Sequence, residues 1–135
     1  MNAARTALRW ILVAFFAAAG FNHFRDPALY LGMMPPWLPW PDLLQRIAGI
    51  AEMAGAVGLA LPPLRRAAGV GLILLLIAIF PANLHVAMQG QMPGFDLPPI
   101  VLWLRLPFQL VFIAAVWWVA LDRRGGVEAG SGRSR

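Results

Sequence analysis

The stretch "IAIFPANLHVAM", residues 77–88, sets the question for the whole chain. Pro81, Asn83 and His85 interrupt an apolar run. In water they are ordinary loop residues. In a bilayer each is costly and needs a partner. Composition decides between the two. Hydrophobic residues make up 60% of the 135 residues and charged residues 13%, with a mean hydropathy of +0.68. A typical soluble domain is about 25% charged, and a chain this short hides only about two-thirds of its surface on folding. The excess apolar surface calls for lipid. The run therefore reads as membrane-embedded, with a kinked or broken turn, because Pro81 lacks a backbone donor and would free the Ile77 carbonyl.

Working outward, four apolar segments appear at about 7–24, 43–61, 67–88 and 100–121. Each is close to the roughly 20 residues that cross a hydrocarbon core. Between them lie "MMPPWLPWPD", "LPPLRR" and "QGQMPGFDLPP", all rich in helix breakers. The predicted fold class is all-α: a membrane four-helix bundle over residues 1–124, with a Pro-rich outer loop between helices one and two. Residues 125–135, rich in Gly and Ser, are predicted to be a disordered cytoplasmic tail. In "MMPPWLPWP" (33–41), four prolines cannot extend a helix, yet the tryptophans are too apolar for a loose loop. This segment is expected to fold back as a lid, with its tryptophans at the lipid interface.

The arginines orient the bundle. Arg5, Arg9, Arg65, Arg66, Arg123, Arg124, Arg133 and Arg135 fall on one side of an even number of crossings. Opposite them are Arg25, Asp26, Asp42 and Asp96, with Arg46 and Arg105 just inside spans two and four. Under the positive-inside rule, both termini are cytoplasmic. The sequence pI of about 11.6 is then a topology signal with some attraction to anionic lipid, and no nucleic-acid partner is expected. The N-terminal segment also resembles a cleavable signal. Its removal would put the tail arginines and the Arg65–Arg66 loop on opposite sides, so a retained helix is the preferred reading.

Depth then sorts the polar residues. His23 ends span one at the outer face. Glu52, nine residues into span two, lies about 13 Å deep. Asn83 and His85 occupy the outer part of span three, and Arg105 and Gln109 the outer half of span four. These six residues are the candidate polar cavity. A charge at mid-helix costs about 2.5–3.5 kcal/mol on insertion scales; Arg105 cannot neutralise, so an ion pair between Glu52 and Arg105 is expected. Gln45 shares the Glu52 face with Gly49, Gly55 and Ala56, which permit close helix approach. Asn83 and His85, about 200° apart on a helix, cannot both point inward without distortion. The bland alternatives are that His23 and His85 sit in the headgroup zone, that Arg46 snorkels, and that the six tryptophans form an interfacial belt. Met33–Met34 reads as packing rather than copper binding, and no metal site is predicted. The chain has no cysteine, which excludes thiol nucleophiles, disulfides and cysteine-held clusters.

"FNHF" (21–24), "MMPPWLPWPDLLQRIAGIAEMAGAVGLAL" (33–61), "FPANLHVAM" (80–88) and "LRLPFQL" (104–110) together resemble the DoxX-like family of small four-helix membrane proteins. The resemblance extends to about Leu121. It implies a bundle in the bacterial inner membrane and, through relatives named for a thiosulfate:quinone oxidoreductase subunit, quinone chemistry. The carried-over positions are His23, Glu52, Asn83, His85, Arg105 and Gln109. Three functions compete: a quinone-associated redox component, a non-catalytic assembly protein meeting another membrane protein, and a small carrier. No internal repeat supports the carrier. Whether the chain is an enzyme stays open.

The arginine asymmetry makes the orientation testable in the cysteine-free chain. An impermeant thiol reagent applied to intact cells should label Ala28→Cys and spare Ala129→Cys; the reverse pattern inverts the topology and with it the depth assignments.

Overall fold

The computed structural model describes residues 2–123; the predicted tail lies outside the described residues. The helices are α1 (Ala3–Arg25), α2 (Pro27–Met33), α3 (Pro41–Ala60), α4 (Arg65–Gln89) and α5 (Pro99–Ala120), with a short 3₁₀ turn at Pro62–Leu64. Four of them, α1, α3, α4 and α5, are long and apolar enough to cross a membrane. Their 20–25 residues give lengths of about 30–37 Å, matched to a hydrocarbon core of roughly 30 Å. This is the expected all-α bundle of a multi-pass membrane protein. Its outward faces are as apolar as its core: Ile11, Leu74, Leu110 and Val111 are all more than 60% exposed, a surface that only lipid covers favourably.

The boundaries follow from local chemistry. The Asn2 side chain accepts from the Arg5 N–H at 2.8 Å and caps α1. Pro27, Pro41 and Pro99 sit in the first turns of α2, α3 and α5, where a missing N–H costs nothing. Gly90, at φ 69°, ends α4 in the left-handed conformation favoured for that role. Trp40 adopts φ 48° without being glycine, a strained residue at the sharp entry into α3.

Two sequence expectations need correction. The segment between spans one and two is not all loop, because α2 forms within it. Met33 and Met34 face the bundle, whereas Trp37 and Trp40 are 69% and 72% exposed at the rim. The lid is therefore mainly α2, packed through Leu29 and Met33 against Val86, Ala87 and Leu102. Nor is α4 broken: it continues through Pro81 to Gln89. A proline removes one ladder bond, and neighbouring helices can hold the remainder in place.

α3 is the central helix, packed against α1 on one side and α4 on the other; α4 in turn packs on α5. Its buried residues Gln45, Gly49, Glu52, Ala56 and Leu59 recur at intervals of four, three, four and three, the repeat of a helix seam. The α1–α3 contact is close because Gly20 and Gly49 oppose each other. A Cβ on Gly20 would lie 2.7 Å from the Gly49 carbonyl oxygen, and one on Gly49 would lie 2.6 Å from the His23 Cβ. Below this crossing, toward the Arg5 end, Leu12, Phe16, Leu59, Leu72, Val116 and Val119 form the main apolar core. The bundle is thus layered: an apolar core toward the arginine-rich end, polar side chains above it, and the α2 cap over those.

The glycine crossing predicts a contrast. Gly20→Ala forces backbone apart and should destabilise the folded protein by about 1–3 kcal/mol. Gly71→Ala meets nothing within 4 Å and should be neutral or stabilising by up to about 1 kcal/mol. Thermal unfolding in detergent reads both; equal midpoints would remove the close-approach argument.

Candidate functional site

Between the apolar core and the α2 cap lies a cavity of about 390 Å³, within the roughly 300–1,000 Å³ of small-molecule sites. Phe16, Leu76 and Phe112 line its lower part, and Tyr30, Met33 and Met34 its upper part. His23 and Glu52 line it from α1 and α3; Asn83, Arg105 and Gln109 line it from α4 and α5. Five of the six sequence-predicted residues therefore meet in one place. His85 is absent from the lining and half-buried elsewhere on α4. Its 200° offset from Asn83 is the reason.

On the α1–α3 side, the His23 imidazole stacks on Tyr30 with ring centroids 3.6 Å apart and planes inclined by 19°. The Tyr30 hydroxyl accepts from Asn22 Nδ2 at 2.9 Å, and burial raises its pKa above the ordinary phenol value, so the phenol stays protonated. His23 Nδ1 lies 3.3 Å from Gln45 Oε1. Since that oxygen only accepts, Nδ1 carries a proton. His23 Nε2 then faces Glu52 Oε2 at 3.5 Å. The separation is within ion-pair range, yet Glu52 Oε2 has no hydrogen-bond partner. Glu52 is 7% exposed and makes no hydrogen bond to any described residue. Imidazole and carboxyl together form a unit that can hold one proton on either member, beside the cavity that both residues line.

On the opposite side, three side chains form a line. Arg105 Nη2 donates to Asn83 Oδ1 at 3.2 Å, Asn83 Nδ2 donates to Gln109 Oε1 at 3.0 Å, and Gln109 Nε2 donates to the Leu76 carbonyl. Arg105 Nη1 also approaches Met92 Sδ at 3.4 Å. The amides of Asn83 and Gln109 staple α4 to α5 in the turns flanking Pro81. Arg105 touches only neutral acceptors and keeps unused donors of its five.

The expected Glu52–Arg105 ion pair is not formed. Among the described residues the contacts at ion-pair distance are His23–Glu52, charged only when the imidazole is protonated, and the exposed Arg46–Asp42. The glycine crossing brings α1 against α3 and so gives Glu52 to His23, while Arg105 is held by Asn83. Sequence reasoning missed Tyr30, which lies in the unrecognised α2, and Met92, which lies in the loop before α5. It placed Gln45 on the Glu52 face without assigning it to the site.

The cavity has a side. Of its lining residues only Phe15 and Phe108 are exposed, at 46% and 61%. They belong to α1 and α5, which touch far less than the other neighbouring pairs of the four long helices. Phe15 stacks on Phe112 at 4.7 Å and closes this seam partway. The opening therefore faces the surrounding bilayer.

Double-mutant cycles separate the observed pairing from the expected one. His23→Gln and Glu52→Gln should couple in folding free energy by about 0.5–3 kcal/mol, as residues in contact do. Glu52→Gln and Arg105→Gln should add to within about 0.5 kcal/mol. The converse result would reinstate the Glu52–Arg105 pair.

No curated protein and no solved structure matches this chain. Residues 12–120, which include every polar side chain of the cavity, match the family described as a domain of unknown function, DUF8561, and the chain belongs to that family.

Proposed function

We propose that the protein binds a quinone-class ring amphiphile in this cavity, as a redox-associated component of a bacterial inner membrane with both termini in the cytoplasm. One observation carries the reading. A carboxyl group without hydrogen bonds, beside an imidazole, and a guanidinium with spare donors flank one apolar, aromatic-walled cavity that opens toward lipid. A ring with oxygens on opposite edges suits that pair: one oxygen accepts from Arg105, and the other, when hydroxylated, donates to Glu52. The His23–Glu52 unit is then placed to exchange one of the two protons that accompany the two-electron interconversion of quinone and quinol. The electrons pass to or from a separate redox partner protein, and the second proton is exchanged outside this contact. The chain has no cysteine, so its own thiols supply no electrons. The DoxX-like resemblance points in the same direction, and the arginine pattern supports the orientation.

The rival reading is a non-catalytic assembly protein. One feature favours it: Trp37 and Trp40 stand exposed at the outer rim, a pair of aromatic anchors of the kind that interfaces use.

The full chain, purified in mild detergent after exposure to excess quinone, should retain close to one quinone per chain on organic extraction. Losing a hydrogen bond to a charged group costs about 1.5–3 kcal/mol, so Arg105→Gln should weaken retention by about tenfold or more. Glu52→Gln should alter the preference between quinol and quinone. A wild-type chain that folds and retains none rejects the quinone reading. Loss of a co-purifying protein from Trp37→Ala/Trp40→Ala, with quinone absent throughout, supports the assembly reading.

A further inference from the structure

The opposite end of the bundle carries a second polar constellation, independent of the cavity. Arg5 and Arg9 lie one turn apart on α1, and Arg65 opens α4. Arg9 Nη1 donates to the Ala60 carbonyl at 3.4 Å and Arg65 Nε to the Leu59 carbonyl at 3.0 Å. Two guanidiniums from different helices therefore meet at the C-terminus of α3. Arg5 Nη2 does the same for α5, donating to the Asp122 carbonyl at 2.6 Å and the Val119 carbonyl at 3.4 Å.

The helix ends do not neutralise this charge. A helix C-terminus carries about half a negative charge and an N-terminus about half a positive one. Two of each, α3 and α5 against α1 and α4, meet at this end and roughly cancel. Arg5 and Arg9 stand close enough to Arg65 to repel it. Arg9 and Arg65 have no carboxylate within ion-pair distance among the described residues. Arg9 Nε is enclosed without an acceptor. The Arg9 guanidinium also lies over the Trp10 ring, 4.8 Å from its centroid, and Trp10 is half-exposed, an arrangement suited to the headgroup level. Next to the arginines, Val57, Leu61 and Leu64 present an exposed apolar surface along which acyl chains can lie.

We propose that this end binds the phosphate headgroup of an anionic phospholipid, with Arg9 and Arg65 as its principal donors and Arg5 alongside. A guanidinium offers a planar fork matched to phosphate oxygens, and basic pockets between transmembrane helices are suited to anionic headgroups. Two guanidiniums from separate helices favour a lipid with two phosphates over one with a single phosphate. The bound headgroup screens the repulsion among the arginines and ties α1 to α4 through the α3 terminus.

The test uses the full chain, delipidated in neutral detergent, with thermal unfolding and native mass spectrometry as readouts. Cardiolipin should raise the midpoint most and persist as one lipid per chain, phosphatidylglycerol should do less, and phosphatidylcholine should do little. Arg9→Gln/Arg65→Gln should weaken cardiolipin binding at least tenfold. Arg9→Lys/Arg65→Lys should retain part of it, and Arg46→Gln, at the other end, should stay within twofold of wild type. If the glutamine variant does not fold, the order of lipids on the wild-type chain and the partial loss with lysine still decide. Equal stabilisation by phosphatidylcholine, or full reproduction by inorganic phosphate, overturns the lipid site, as does unchanged cardiolipin binding in the glutamine variant.

Discussion

A polar group inside hydrocarbon has no water to bond, so every one in this bundle must find its partner within the protein or in something the protein binds. That constraint organises the molecule more than the packing of its apolar residues does, since lipid serves those nearly as well as a core. Gln109 reaches a backbone carbonyl near Pro81, Asn83 joins Gln109 to Arg105, and Gln45 fixes His23. At the other end, guanidiniums cover the carbonyls that terminate α3 and α5. The exceptions to complete satisfaction are informative for the same reason. Glu52 lines the cavity, and its Oε2 is enclosed without a hydrogen bond; such a group in so dry a place points to a missing partner.

What could be read from the chain was what depends on periodicity and charge. Four apolar runs of membrane length gave the four long helices. The seven-residue spacing of Gln45 and Glu52, with glycine and alanine between, gave the buried face of α3. Depth gathered His23, Glu52, Asn83, His85, Arg105 and Gln109; all but His85 line the cavity. The pairing could not be read in that way. Matching charges by sign joins Glu52 to Arg105, but partners are chosen by which backbones come close. Gly20 against Gly49 decides that, and its effect is to press His23 onto α3. α2 was illegible because seven residues between Pro27 and Met33 are too few for a hydrophobic period and are flanked by prolines that read as loop. The arginines were read as topology markers; their second role as helix caps depends on where other helices end, which no local pattern encodes.

The two sides of the cavity differ in a way that bears on what it can do. The α4–α5 side is a fixed line of amides ending on a backbone oxygen, so its donors and acceptors are largely committed. Arg105 is the member with capacity left. The α1–α3 side is the reverse. Its imidazole is oriented at Nδ1 by Gln45 and held flat by Tyr30, yet its exchange with Glu52 is left at 3.5 Å, without a formed hydrogen bond. One side therefore offers a permanent cation, and the other a proton whose position a ligand can decide. Such an asymmetry would give the ring proposed above a direction, with a charge-assisted bond at one edge and a proton-exchanging contact at the other.

The layering also bears on whether this bundle carries anything across the membrane. From the cavity, the way toward the arginine-rich end runs through Phe16, Leu72, Leu59, Val116 and Val119, each no more than 2% exposed. These residues span about two helical turns with no buried polar side chain among them. An ion crossing that layer would meet the same desolvation that forces Arg105 and Glu52 to seek partners, with none supplied. Beside the cavity, by contrast, the seam between α1 and α5 is flanked by Phe15, Phe108 and Phe112, side chains that can shift without breaking a hydrogen bond. Exchange with the lipid beside the cavity is thus far less obstructed than passage through the bundle, and that difference favours a site that takes its ligand from the bilayer and returns it there over one that conducts.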